Sequence, residues 1–282
     1  MSASIAEKTY QDLAELFGGA HSDDRQDTIS QRLRKVRDLT LVRVAGPNYL
    51  VLACDSDGGI GPKPQDTVYT TGYWLGRVAA RVPLMEVLAS GATPLILVDA
   101  LGVEMEPTGK EIIRGIRVEA AEAGLVDPAA ITGSTEDNVP TVATGIGVTV
   151  IGVVQESHLR PGTSRVGDAI VAVGKPKSAP DDDVTEDDPE IADLPAVRSL
   201  LNLPYVRDIL PVGSKGIAYE AGQMAQCCGL DVALVDECSL DIKKSAGPST
   251  CVLASLPESM LEELAATVNK PVSLIGRLLP HV

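Results

Sequence analysis

Two hydrophobic rhythms run through the first half of the chain. Residues 41–45 and 49–54 are apolar runs joined by Gly46-Pro47-Asn48, which predicts a hairpin. Residues 72–90 carry Leu75, Val78, Ala79 and Val82 at helical spacing, and Gly91 follows as a stop. Pro83 predicts a kink or a restart there, because its ring removes one rung of the hydrogen-bond ladder. Residues 94–102 are nearly all apolar, as suits a strand covered on both faces. Thr108-Gly109-Lys110-Glu111 has the spacing of a capping box. It predicts a helix to Glu122 with Ile112, Ile113, Ile116 and Ala120 inward, closed by Gly124. Residues 142–154 predict a long strand. Two helices are predicted ahead of the hairpin: residues 4–17, with Ile5, Leu13, Leu16 and Phe17 near one face, and residues 24–38, with Ile29, Leu33 and Val36 in phase.

The clearest break falls between Glu156 and Gly167, where Arg160-Pro161-Gly162-Thr163 is turn-rich. Beyond it the pattern predicts strands at 169–173, 231–235 and 250–255, and helices at 217–228 and 257–268. Helices and strands do not alternate regularly enough for a doubly wound sheet. The expected class is α+β, with helices on one face of each sheet. The expected division is residues 1–158, with 1–40 as a helical lead-in, and residues 165–282.

Charge narrows the function. Among 282 residues, 24 Lys and Arg face 39 Asp and Glu, a net charge of −15. Phosphate backbones and anionic lipid surfaces repel such a chain, so neither nucleic acid nor membrane is an expected partner. Aromatics are only 3%, too few for stacking platforms along a single strand. No run of 18 apolar residues occurs, and Glu7, Asp12 and Glu15 interrupt the N-terminal segment, which therefore does not read as a secretory signal. Five cysteines without a CxxC pair argue against a disulfide framework or a structural zinc, and a cytoplasmic setting is expected. Residues 181–188 hold six acids in eight positions and read as a solvated, mobile loop.

The chemistry left to explain is acidic and glycine-rich. No P-loop, dinucleotide fingerprint or nucleophile elbow is present, and His21, His158 and His281 lie far apart. Asp55 and Asp57 follow a strand two positions apart, so both face one side in extended chain. Carboxylates of this kind suit Mg²⁺, which keeps phosphate oxygens as further ligands. Gly58, Gly59 and Gly61 let backbone N–H groups approach a phosphate, and Lys63 supplies positive charge. Taken alone, an Asp/Gly cluster of this kind is mostly an ordinary turn. Thr135-Glu136-Asp137-Asn138 also fits an Asx-type turn, and Glu86 also fits a solvent-facing carboxylate. Together, three acidic sites at the edges of apolar elements point to a divalent metal and a triphosphate.

The order of these segments resembles the superfamily of aminoimidazole ribonucleotide (AIR) synthetase, selenophosphate synthetase, thiamine-monophosphate kinase and a hydrogenase maturation factor. "VLACDSDGGIGPKP" at 51–64 is similar to the family's strand and metal loop. "LMEVLASGATPLILVDAL" at 84–101 is similar to its "ND…GA.PL…LD" segment. "ITGSTEDNVP" at 131–140 is similar to its "GG(D/E)T" loop. "GDAIVAVG", "VGSKGIAYEAGQMAQCCGL", "CVLASLP" and "IGRL" follow in family order. The resemblance implies a two-domain AIR-synthase-like fold: an N-terminal sheet domain that binds ATP and metal and pairs across a homodimer, and a C-terminal α+β domain. It implies Mg²⁺ on Asp55, with Asp57 as the alternative match, on Glu86 in place of the family's Asp, and on Glu136 or Asp137, since Thr135 stands where the family has an acid. Nucleotide contacts are expected from Gly58, Gly59, Gly61, Lys63, Gly133, Ser134, Thr135 and Asn138. Lys215, in the stretch that replaces a family Asp-containing loop, is placed for a phosphate or an anionic substrate. Asp55, Asp57, Lys63 and Lys215 form the expected catalytic set. The expected activity is ATP- and Mg²⁺-dependent phosphoryl transfer to a small molecule, of the thiamine-phosphate or α-ribazole kinase type. A ring-closing synthetase and a degenerate member that binds nucleotide without turnover are the alternatives.

Overall fold

The computed structural model describes residues 29–281. The helix expected at 4–17 lies outside them. A single helical turn, α1 (Ile29–Arg32), leads into strands β1 (Leu33–Val36), β2 (Leu39–Ala45) and β3 (Asn48–Gly58). The helix expected over 24–38 is therefore corrected from Leu33 onward. Leu33–Val36 pair antiparallel with Leu39–Val42, and the chain reverses at Arg37-Asp38, with Arg37 at φ +55°. Cross-strand pairing here overrides the helical spacing of Leu33 and Val36.

After the short strands β4 (Ile60–Gly61) and β5 (Val68–Tyr69) comes α2 (Gly72–Ala89), with Thr71 as its cap, its side chain accepting from the Trp74 N–H at 3.1 Å. One helix runs through Pro83 without restarting. Then follow β6 (Thr93–Leu101), a π-type turn (Met105–Gly109), α3 (Lys110–Glu122), β7 (Ile131–Thr135) and β8 (Gly145–Gln155). The capping box does not form: the Thr108 hydroxyl donates to Glu104 Oε1 at 2.6 Å instead. β7 was expected as loop; it lies parallel to β6, Leu97 to Leu101 against Ile131 to Thr135. The first sheet has the order β1-β2-β3-β8-β6-β7.

The second half contributes β9 (Asp168–Gly174), α4 (Leu194–Asn202), β10 (Ile209–Pro211), α5 (Gly216–Cys227), β11 (Leu230–Leu234), β12 (Cys251–Pro257), α6 (Leu261–Thr267) and β13 (Val272–Pro280). Its sheet has the order β10-β12-β9-β13-β11 and is antiparallel throughout. Both large sheets are thus mainly antiparallel, as an α+β fold requires.

One core joins the halves. Leu75, Leu84 and Val87 of α2, Val148 and Val150 of β8, and Val171, Leu194 and Leu200 from beyond the connector belong to the same buried cluster. α2 and α3 approach so closely that glycine is required at the crossing. A Cβ on Gly76 would sit 2.0 Å from the Ile112 carbonyl oxygen, and one on Gly115 would sit 2.0 Å from that of Tyr73. Beside these notches the Arg77 Nε donates to Glu119 Oε2 at 2.7 Å and the Arg81 Nε to Glu119 Oε1 at 2.6 Å.

The acidic tract is not the free loop its composition suggests. The Trp74 indole donates to the Val184 carbonyl at 2.7 Å, and Arg77 Nη1 reaches Glu186 at 2.5 Å. Lys244 pairs with Asp182 and Lys177 with Asp188, each at 2.6 Å. Cations elsewhere in the chain offset its charge and hold it against α2. Among the described residues, no helix is long and apolar enough to cross a membrane.

Candidate functional site

β3 was expected to end before its acids. It continues through them: Asp55 pairs with Val148 of β8 and Asp57 with Ile146. Period-two alternation puts both carboxylates on the face that also buries Val51 and Ala53. That face looks toward α2, whose Glu86 lines the same pocket. The pocket encloses about 980 Å³ and takes its far wall from the second half, including Glu220 and Lys215. Asp38, at the β1–β2 turn, reaches it as well. The turn is anchored by Arg37, whose guanidinium donates to both Asp208 oxygens at 3.1 and 2.5 Å and to the Ile209 carbonyl.

The electrostatics of the pocket are unsatisfied. Burial pushes Asp57 up to about 6, with Asp55 adding repulsion. Burial pushes Glu86 up to about 8, with Asp38, Asp55 and Glu220 adding to it. Burial, then Asp38, raises Glu220 to about 7. Asp57 Oδ2 and Glu86 Oε2 are buried with no hydrogen-bond partner among the described residues. Carboxylate oxygens left dry and unpaired are costly unless a cation enters. No three described His, Cys, Asp or Glu side chains close on a single metal position. The donor set therefore fits an ion that takes one or two carboxylates and fills its shell from a phosphate-bearing ligand, as Mg²⁺ does.

The structure brings Asp55, Asp57, Glu86 and Lys215 to this pocket, and leaves the other expected residues outside its walls. Gly58 ends β3, Gly59 makes the turn with its N–H donating to the Thr144 carbonyl at 2.9 Å, and Gly61 ends β4. Lys63 is paired with Glu104. Gly133, Ser134 and Thr135 lie on β7. Asp137 accepts from the Thr135 hydroxyl at 2.7 Å and from the Met105 N–H at 3.0 Å. Glu136 accepts from the N–H groups of Asn138 and Val139. This second cluster is still at the same end of the sheet, because Thr135, Leu101, Ile146 and Asp57 are successive partners across it.

Several pocket residues carry no signal in the motif reading. Asp38 and Glu220 arrive through tertiary packing. Tyr69, Tyr73, Trp74 and Tyr219 also line the pocket, and in a chain with eight aromatics that concentration is the one clue the sequence offered. Asp99 was also missed. It sits on β6 opposite Gly133, where a Cβ would lie 2.3 Å from Asp99 Oδ1. That oxygen is buried without a partner, and burial raises the group to about 6.

Comparison with known proteins agrees with this architecture. No curated protein matches the chain by sequence. Thiamine-monophosphate kinase from Stenotrophomonas maltophilia K279a has the same fold at 16% identity and a TM-score of 0.58, over 89% of this chain and 89% of that one. The hydrogenase maturation protein HypE of E. coli gives 16% and 0.59, over 98% and 92%. The T. maritima PurL complexed with ADP gives 15% and 0.57, over 88% of this chain and 42% of that one. Residues 37–154, which hold Asp55, Asp57, Glu86 and the whole β7 cluster, match the family model for the AIR synthase related protein, N-terminal domain.

Proposed function

We propose that this protein is an ATP- and Mg²⁺-dependent phosphotransferase acting on a small molecule, of the thiamine-phosphate or α-ribazole kinase kind. The observation that carries the reading is the in-phase pair Asp55 and Asp57 lining one pocket with Glu86, where Asp57 and Glu86 each have a buried oxygen with no hydrogen-bond partner among the described residues. A solved relative, a thiamine-monophosphate kinase, was crystallised with AMPPCP and TMP, which supports a nucleotide and a phosphorylated substrate in this fold. Asp55, Asp57 and Glu86 would hold the cation, which would neutralise phosphate oxygens as the phosphoryl group moves. Lys215 Nζ, 4.3 Å from the Tyr219 ring centre and donating to its hydroxyl at 3.1 Å, is the positive charge at the rim. Tyr73, Trp74 and Tyr219 give an organic ring a surface to lie on.

Asp55→Asn is expected to abolish the stabilisation that Mg²⁺ and ATP together confer in a thermal-shift titration. At a hundredfold excess over Kd the lost stabilisation is about 2.7 kcal/mol. An unchanged shift in that variant would remove the assignment. Phosphorus NMR of the product separates the chemistries, a phosphomonoester for a kinase and free phosphate for a synthetase. Complete absence of turnover with intact nucleotide binding favours the degenerate reading, which draws on Thr135 in a family acidic position and on Glu136 and Asp137 being engaged in turn hydrogen bonds.

We also propose a homodimer through the uncovered face of the first sheet. Leu95, Ile96 and Val153 are 46%, 37% and 42% exposed there, next to the partly exposed Leu52, Val98 and Ile151. A contiguous apolar sheet face of this kind marks an interface. Sedimentation should give a dimer, and Ile96→Lys with Val153→Glu should give a folded monomer. A monomeric wild-type protein would refute the pairing.

A further inference from the structure

A second cleft has the opposite charge. It encloses about 840 Å³ at the junction of the halves, between the ends of α2 and α3, the connector and α4. Arg160, Arg165, Arg198 and Arg207 line it, with His158 at its edge, and among the described residues no carboxylate does. The contrast with the first pocket is sharp, since that one has eight carboxylates in its lining and two cations. The two cavities share no residue and are separated by the turn at Ser90 and Pro161.

Three of the four arginines, Arg160, Arg165 and Arg198, have no carboxylate partner among the described residues, and the fourth, Arg207, is paired with Asp168. Arg160 donates to the Val206 and Leu201 carbonyls, each at 2.8 Å, and to no carboxylate among the described residues. Burial pushes its pKa down, with Asp208 opposing only at a distance. A half-buried guanidinium on carbonyls alone retains a net charge that an incoming anion would relieve. Arg207 is bound to Asp168 through Nε, at 3.1 and 2.9 Å, which fixes the plane of the guanidinium. Arg198 caps the end of α3, with Nη1 donating to the Glu122 carbonyl at 2.7 Å. Capping of helix ends explains part of the charge of Arg160 and Arg198. It does not explain Arg165, an exposed side chain with no hydrogen bond or ion pair among the described residues, on the same cleft.

We propose that this cleft is a binding site for a small, multiply charged phosphorylated anion, distinct from the acidic pocket. Guanidinium groups recognise phosphate through paired N–H donors, and the cleft has the volume of a small-ligand site. A free metabolite fits better than a nucleic acid, because the net charge of −15 repels an extended polyanion while a small one enters a local positive field.

The test uses the full chain, with chelator present and no divalent metal, and inorganic pyrophosphate as the probe in isothermal titration calorimetry. The wild type and Asp55→Asn should bind it alike. Arg165→Glu should weaken binding roughly tenfold, the scale of one lost charge-assisted hydrogen bond, and Arg165→Glu with Arg198→Glu should weaken it further. Arg165→Lys should recover part of the affinity, which separates a contact from a folding defect. The proposal is overturned by no binding at millimolar pyrophosphate, by equal affinity in Arg165→Glu, by loss in Asp55→Asn, or by a single-stranded RNA that binds more tightly than pyrophosphate.

Discussion

Glu119→Ala is expected to destabilise the protein by about 3–5 kcal/mol, the cost of stranding buried charge. Glu119 is fully buried on α3, and both of its oxygens are used, one by Arg81 and one by Arg77. Removing it leaves two buried guanidiniums at a helix crossing that Gly76 and Gly115 make too tight for rearrangement. Arg77 would keep Glu122 at 2.6 Å and Glu186 at 2.5 Å, whereas Arg81 would keep no ion pair among the described residues. Glu119→Gln should fall between wild type and Ala, since the amide keeps one of the two acceptor oxygens but carries no charge. Urea denaturation reads the effect as a lower midpoint with an unchanged m-value. A loss below about 1 kcal/mol, the range of a surface pair, would show that the network is solvated. Because Arg77 keeps Glu186, the same variant should leave residues 181–188 as resistant to protease as in the wild type.

Glu86→Gln is expected to do the reverse and stabilise the ligand-free protein at alkaline pH. The unfolded chain releases this proton near 4.5, and burial holds it in the folded chain to about 8. The neutral carboxyl is the form that suits the fold. Its contribution is complete below about 4.5, declines as pH rises, and is gone above about 8. Between these limits each pH unit costs at most about 1.4 kcal/mol per such group. Asp57, near 6, and Glu220, near 7, act in the same direction. Thermal unfolding without ligand should therefore show a melting temperature that falls from pH 5 to pH 8. Gln, neutral throughout, should flatten that slope and melt several degrees higher at pH 8. A wild-type melting temperature that rises over this range would show that Glu86 is solvated.

Local pattern made β2, β3, β6, β8, β9, β11 and β12 and the helices α2, α3 and α5 legible, because periodicity reports burial directly, whereas α4, β10 and β13 were not read from it. The apolar run 95–101 and the helical spacing of Leu75, Val78 and Ala79 both correspond to core elements. Leu33 and Val36 misled because two apolar residues three apart fit a helix and a short edge strand equally well. Thr108 misled because a cap is decided by competition, and Glu104 offered its hydroxyl a better acceptor. Asp55, Asp57 and Glu86 could be singled out in the chain because they interrupt apolar runs. Asp38 and Glu220 could not, since only tertiary packing brings them to the pocket. The six acids of 181–188 read as solvent-loving because composition cannot show that Lys177, Lys244 and Arg77 wait for them elsewhere.

The Arg37–Asp208 anchor spans 171 positions of the chain. During synthesis at roughly 5–20 residues per second, Arg37 emerges from the ribosome about ten to thirty seconds before its counter-ion exists. Throughout that interval the β1–β2 turn has nothing to dock on, and the wall that carries Asp38 cannot assemble. The acidic pocket is therefore a late product of biogenesis, closed only when the second half has emerged. A nascent chain stalled before Asp208 presents an open half-site that lacks the turn completing the finished protein.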